Sequence, residues 1–257
     1  MGEAKRRKND RFTEAQYQQL ERLVASTYKR TRDGLAAARS AGPDNSGALV
    51  AAIHADTVGQ VDALTEDFLA TDREGPEIKA RIACAKGCYF CCHANVELTI
   101  VEAVAVARHV ASDPDLARSA LDTAPKVDGI PPWTRYDFRI ACPLLGSDGA
   151  CSIYEVRPRV CRAHVSYEVK LCEEVLFSGH SRSLAPMMTF GWPRSVSKAI
   201  HQGVTLATAH AGLQADNVEM TAALALILRS PKVVDAWLRG EQPFPRYEFD
   251  GGAPHGM

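Results

Sequence analysis

Eight cysteines lie between positions 84 and 172, first as Cys84-AKG-Cys88-YF-Cys91-Cys92 and then as Cys142, Cys151, Cys161 and Cys172. No other feature limits the fold so tightly. Thiols two to four residues apart in a turn can reach the roughly 2.3 Å that a zinc or iron centre requires, and Gly87 allows that turn to be tight. Two or three ligands do not close a tetrahedral shell, so the second group must return to the place the first occupies. The segment between Cys92 and Cys142 is then an excursion. An isolated cysteine is commonly buried as a small hydrophobe. Four within residues 84–92 are not accounted for that way, because adjacent thiols invite oxidation. Cys172, set in the helix-like VKLCEEVL, is the one with the strongest claim to simple packing.

With 257 residues the chain can bury a core without covalent staples, so the cysteines need a chemical reason. The first ten residues, MGEAKRRKND, are charged and have no apolar segment behind them. No secretory signal is expected, the mature protein is expected to begin at or near Met1, and a cytoplasmic location follows. In such a reducing compartment metal ligation or redox chemistry is favoured over disulfides. Thirty basic side chains against 31 acidic ones give a net charge of -1, so neither nucleic acid nor an anionic membrane is an expected partner. The most apolar run, Ala222 to Leu228, is far short of the roughly 20 residues of a membrane span.

Helical periodicity dominates the rest. Leu20, Leu23, Val24, Tyr28 and Leu35 predict one long amphipathic helix from Phe12 to Gly42-Pro43, and Leu49, Ile53, Val61, Leu64 and Phe68 predict a second, packed on the first as an antiparallel hairpin. Thr99 and Glu102 have capping-box spacing at the start of a helix reaching Ser112; Asp113-Pro114 opens a short one to Ala124. Residues 125 to 153 show no helical period and are expected to be loop or brief strand. Helix resumes after Tyr154. Further helices are expected through VSKAIHQGVTLATAHAGLQ, from an Asp216/Glu219 capping box to Leu228, and from Ser230-Pro231 to Gly240. The chain thus reads as a mainly α fold, a helical scaffold carrying a cysteine-rich, loop-containing core. Its expected segments are a disordered basic start (1–10), a helical hairpin (11–75), a cysteine-cluster region (76–190), C-terminal helices packed on the same domain (191–243) and a loose tail (244–257).

The run C-x3-C-x2-CC followed by CPLLGSDGACSIYEVRPRVCR resembles the YkgJ-type cysteine-cluster family. Its members are described as zinc- or iron-chelating domains and are related to the cysteine cluster of flagellin lysine N-methylase. The resemblance covers about residues 84 to 172, and C-x-IYE-x-RP-x-x-CR is its most specific part. It implies that Cys84, Cys88, Cys91, Cys92, Cys142, Cys151, Cys161 and Cys172 are the cluster cysteines and that the metal is zinc or iron, an iron-sulfur cluster included.

Four thiolates around Zn2+ leave a net charge of -2, which nearby cations would offset. Lys86, Arg157, Arg159 and Arg162 are the candidates. Pro158 is expected to begin the turn or helix carrying Cys161, and Ile153 and Tyr154 to pack beneath the site. His93 and His164 are possible ligands, though a neutral hydrogen-bonded histidine is the commoner outcome. Eight thiolates are twice what one tetrahedral ion or one cubane takes, which leaves a two-centre arrangement open. Cys91 and Cys92 would more easily face different centres than chelate one ion.

C-x3-C-x2-C also has the spacing of the radical-SAM cluster loop, but the alternation of strand and helix that such a barrel needs is missing. Nucleotide-binding and H-E-x-x-H motifs are absent. Gly179-His-Ser-Arg-Ser183 lacks the closing glycine of a nucleophile elbow, and Met187-Met188, His201 and His210 read as ordinary residues. The leading expectation is a metal-binding protein. An iron-sulfur redox or methylase-related protein-modifying enzyme is the first alternative, and a protein-interaction module with purely structural zinc is the second. Whether a reaction is catalysed stays open, and no residue is nominated as catalytic. The partners expected are the metal ion and a protein of unspecified kind.

Overall fold

The computed structural model describes residues 12–178 and 189–245. The architecture is mainly α. Its first two helices, α1 (Glu14–Ser40) and α2 (Pro43–Thr71), are joined by a turn at Gly42, whose φ of 73° suits glycine. Thr13 and Gln16 form a capping box at the start of α1, and Pro43 takes the first position of α2, where a missing N–H costs nothing. A short α3 (Gly75–Arg81) leads into the cysteine region.

At the centre lies α4 (Ile100–Ala111), buried on every side from Ile100 to Ala107. A helix apolar around its whole circumference must be enclosed by others. It packs against α2, α5 (Pro114–Val127) and α9 (Met220–Arg229). Thr99 and Glu102 cap α4 reciprocally: Glu102 N donates to Thr99 Oγ1 at 3.3 Å, and Thr99 N donates to Glu102 Oε2 at 3.0 Å. The chain between Cys151 and Ser178 supplies α6 (Arg159–Ala163) and α7 (Val169–Ser178). The long α8 (Gly191–His210) then lies along α1 and α2, and α10 (Lys232–Leu238) closes the series. Two short strands, β1 (Glu97–Leu98) and β2 (Val218–Glu219), pair antiparallel just before α4 and α9. One hydrophobic cluster draws on Leu23, Val61, Val104, Leu144, Ile153, Trp192, Leu224 and Trp237, side chains spread over the length of the chain.

Several expectations change in detail. The buried stripe of α1 is Leu23, Thr27, Thr31, Leu35 and Ala38, while Leu20, Val24 and Tyr28 are only half-buried. The reason is a close crossing with α8 at Gly203, where only small side chains fit. On α2, Val50 is fully buried in place of Leu49. Helix α5 continues through Pro125 to Val127, because Ala120, Thr123, Ala124 and Val127 form one face packed on α9. Residues 132–138, expected as loop or strand, form a 3-10 helix. Glu219, not Asp216, caps α9: pairing with β1 keeps the chain extended through Glu219, whose Oε2 accepts from Ala222 N at 2.7 Å. Phe244, assigned to a loose tail, is 2 % exposed. The Gln214 side chain clamps it, accepting from Phe244 N at 3.1 Å and donating to Phe244 O at 2.9 Å. The basic start, residues 179–183, Met187-Met188 and the tail beyond 245 lie outside the described residues.

A paired test follows from the crossing. A Cβ on Gly203 would stand 2.7 Å from Thr27 Cβ and 2.8 Å from Val24 O, whereas one on Gly59, in the middle of α2, would meet nothing within 4 Å. Gly203→Ala is expected to destabilise by about 1–3 kcal/mol through overpacking. Gly59→Ala is expected to stabilise by about 0.5–1 kcal/mol through helix propensity. Urea unfolding of the two variants would show opposite shifts in midpoint; equal shifts would remove the close crossing.

Candidate metal centre

The first cysteine group is shaped by local backbone. After α3 the chain extends through Cys84 and turns at Gly87, whose φ is 89°, with Cys88 N donating to Ala85 O at 3.1 Å. Phe90–His93 then form a 3-10 turn carrying Cys91 and Cys92. The second group returns to it by backbone contacts. Cys142 N donates to Cys92 O at 2.7 Å. The loop after Leu144 folds back so that Leu145 bridges Cys151, and its Gly149, at φ 76°, lies against Gly87: a Cβ there would be 3.0 Å from Gly87 O. Glycine is required on both sides of that contact.

Cys161 and Cys172 arrive on helices. Pro158 caps α6 without a side-chain hydrogen bond, and a distant carboxylate takes over: Glu102 Oε1 accepts from Arg159 N at 3.1 Å. Cys172 lies in α7. Ser166, which nothing in the sequence marks, ties this helix to the first group; its N–H donates to Cys84 Sγ at 3.2 Å, and its hydroxyl reaches Cys172. Ala83 N in turn donates to Ser166 O at 3.0 Å.

All eight cysteines are free thiols. Cys84 is exposed, Cys172 is buried and the other six are half-buried. Burial pushes the Cys142 thiol up to about 12, and it does the same to Cys161. The hydrogen bond with Cys92 and burial raise Cys91, while burial raises Cys88 and Cys172. Charge on one sulfur acts on the next: Cys88 feels Cys84, Cys91 and Cys172, and Cys161 feels Cys91 and Cys151. Among the described residues, no three His, Cys, Asp or Glu side chains stand ready-spaced around a point where a metal ion would sit. The two cysteine-bearing stretches touch through their backbones, at Cys92–Cys142 and Gly87–Gly149. The donor set fits zinc or iron in kind: free sulfurs, an N–H aimed at one of them and a cation beside four more.

That cation is Arg157. Burial opposes its charge, but Cys161, Cys91, Cys151 and Cys92 more than offset the penalty. The other expected cations are engaged elsewhere or stand outside. Arg159 pairs with Glu102 at 3.2 Å and donates to Ser197 Oγ at 3.2 Å and His201 Nδ1 at 2.8 Å. Arg162 pairs with Asp62 and donates to the carbonyls of Tyr154, Glu155 and Arg157, stapling that segment to α6. Lys86 is exposed at the turn. Ile153 packs beneath the site at 1 % exposure, whereas Tyr154 is 60 % exposed, its ring facing the guanidinium groups of Arg157 and Arg162. Burial holds His93 and His164 neutral, and each has one ring nitrogen, Nδ1 and Nε2 respectively, buried without a partner.

The Glu102 network carries a pH signature. Burial opposes the charge of Glu102, but Arg159, His54 and the N–H groups of Thr99 and Arg159 outweigh it and hold the carboxyl below its usual range. Its contribution is therefore complete above about 4.3 and lost as pH falls through the lower folded value. His201 behaves likewise for a base: burial and then Arg159 lower it to about 4, so the unfolded chain binds its proton first on acidification. Stability from His201 should decline from about pH 6.5 downward. Glu102→Gln is expected to cost about 3–5 kcal/mol at pH 7, because it strands the Arg159 charge, and less below about pH 4. His201→Gln should flatten the slope between those limits. Unfolding midpoints as a function of pH check both, and a pH-independent Glu102→Gln penalty down to pH 3 would refute the ionised pair.

Residues 83–177 match the model of the CxxCxxCC family, whose description reads "Putative zinc- or iron-chelating domain". No curated protein and no solved structure is significantly similar to the chain. The matched segment holds all eight cysteines, the Gly87 turn and the Arg157 cation, and its likeness to the CxxCxxCC family is confined to residues 83–177.

Proposed function

We propose that the protein binds zinc or iron through a multi-thiolate site, with the helices holding the two cysteine groups together. The observation that carries this reading is the return of the second cysteine-bearing stretch to the first, tied by the Cys92 O to Cys142 N hydrogen bond and the Gly87–Gly149 contact, with every cysteine a free thiol. Cys84, Cys88, Cys91, Cys92, Cys142, Cys151, Cys161 and Cys172 would hold the metal. Bound zinc would supply a redox-inert cross-link, and iron or an iron-sulfur cluster would add one-electron chemistry. Arg157 offsets thiolate charge, the N–H of Ser166 donates to Cys84 Sγ, and Glu102 fixes α6 and with it Cys161.

The reading places the chain in the cytoplasm, where thiols stay reduced. No helix among the described residues is long and apolar enough to cross a membrane. A redox-active iron-sulfur centre would favour an enzyme or electron carrier, and redox-inert zinc a chelator or a partner-binding scaffold.

Metal identity separates these readings. Anaerobic purification of the full chain followed by elemental analysis and an optical spectrum is expected to give stoichiometric zinc with no visible band, or iron with a visible band that changes on reduction. A protein free of both metals would sink the reading. Metal should also support the fold, since residues 84–172 have few long apolar stretches. Removing an ion held at about a thousand times its dissociation constant costs on the order of 4 kcal/mol. Chelation under reducing conditions should lower the melting temperature and expose sites between Cys92 and Cys172 to protease before α8 is cut. An unchanged melting temperature and cleavage pattern would mean that metal and fold are uncoupled.

A further inference from the structure

Between the end of α5 and one face of α9 lies a cavity of about 620 Å³. Sites that enclose small molecules run from roughly 300 to 1,000 Å³. None of the eight cysteines lines this one. Its walls belong to the fold. α5 stops at Val127, Gly129 at φ 71° turns the chain, and Ile130 N donates back to Val127 O at 3.2 Å. On α9, Ala222, Ala225, Leu226 and Arg229 recur at helical spacing, share one face and all line the cavity. Alanine at 222 and 225 leaves the space that larger side chains would fill. Pro245, also in the lining, follows Phe244, which the Gln214 clamp holds in place.

A few charged groups are set into this mostly apolar lining. Arg135, 2 % exposed, is its buried cation. Nη1 of Arg135 donates to Glu219 Oε1 at 2.7 Å, while its Nε is buried with no partner among the described residues. Glu219 divides its charge, because Oε2 already accepts from Ala222 N at the start of α9. One carboxylate thus faces both a guanidinium and the partly positive N-terminus of a helix, and the surplus there is positive. A buried N–H without an acceptor is costly, and an oxygen brought into the cavity would supply one. At the other end of the α9 face, Arg229 is exposed and has no ion pair among the described residues. The lining's other acidic side chain, Asp128, is exposed as well.

We propose that this cavity binds a small organic acid with an apolar body and an uncharged oxygen at the end away from its carboxylate. The carboxylate pairs with Arg229, the cation of the lining that no carboxylate of the described chain answers. The body lies along Ala222, Ala225 and Leu226. At the inner end, a carbonyl oxygen meets the positive surplus around Arg135, where Glu219 leaves no need for a second full negative charge. Ala222 and Arg229 are about 10 Å apart along the helix, which sets the length of the ligand. This function goes beyond metal binding and does not depend on it.

Three probes test it on the full-length chain by NMR titration: the keto acid ω-benzoylvalerate, its primary amide, and ω-phenylhexanoate, which lacks the ketone. The keto acid should bind about five-fold more tightly than the amide, the effect of one ion pair at a partly exposed site. Loss of the ketone should weaken binding by a similar factor, about that of one hydrogen bond. Arg229→Gln, a change at an exposed position, should bring the keto acid down to the affinity of the amide and leave the amide unchanged. Ala222→Trp should fill the cavity and abolish binding of all three, with the melting temperature reporting that it folds. In the wild type, NOEs from the ring of the keto acid to the methyl groups of Ala222 and Leu226 locate the probe whether or not that variant folds. No binding by the wild type, NOEs to residues elsewhere, or full binding by a folded Ala222→Trp would overturn the site. An amide that binds as tightly as the acid, or an Arg229→Gln variant without effect, would overturn the acid. Equal affinity for ω-phenylhexanoate would overturn the inner oxygen.

Discussion

The carboxylate of Glu102 is where scaffold and cluster meet. It closes the capping box of the central helix with one oxygen and accepts the first free N–H of the cysteine-bearing α6 with the other, while its charge is answered by Arg159. A buried carboxylate is tolerable only when both oxygens and the charge are satisfied. Here that condition fixes two helices at once. α6 is one and a half turns long, starts at a proline and has no side-chain cap of its own, so Glu102 supplies the partner that its first N–H would otherwise lack.

Local signals made much of this fold readable in advance. The two long N-terminal helices, the Thr99 capping box, the Asp113-Pro114 start and the role of Pro158 all depend on residues within a few positions of each other. What escaped depends on distance. Glu102 was visible as a cap, but its bond to Arg159 spans 57 positions. Thr27 and Thr31 are polar, and the packing of α8 along α1, with Gly203 set against Thr27, explains why this face is buried. Ser166 has an unremarkable neighbourhood in AHVSYE, and its value lies in touching Cys84 and Cys172 together. The pairing of residues 97–98 with 218–219 moved the start of α9 by three positions from the one the sequence pattern favoured.

The arginines of RPRVCR illustrate the same limit within six residues. Proximity to Cys161 in sequence nominated three of them as partners for thiolate charge. Helical direction separates them: Arg157 precedes α6 and turns towards the sulfurs, whereas Arg159 and Arg162 leave the helix towards Glu102 and Asp62. One cation serves the cluster and two serve its mounting. Fold and site compete for the same residue type here, and orientation decides the allocation.

The hydrogen bond from Cys142 N to Cys92 O closes a long excursion that contains the whole of α4 and α5. A metal bridging the two cysteine groups would act on the unfolded chain as a disulfide does, by forbidding the many conformations in which the ends of that loop drift apart. Such a constraint depends only logarithmically on the length enclosed, with each doubling adding about 0.6 kcal/mol. The two halves of the cluster are therefore bound to each other in space and scarcely at all in sequence, and a loop twice as long would change the strength of that clasp only slightly.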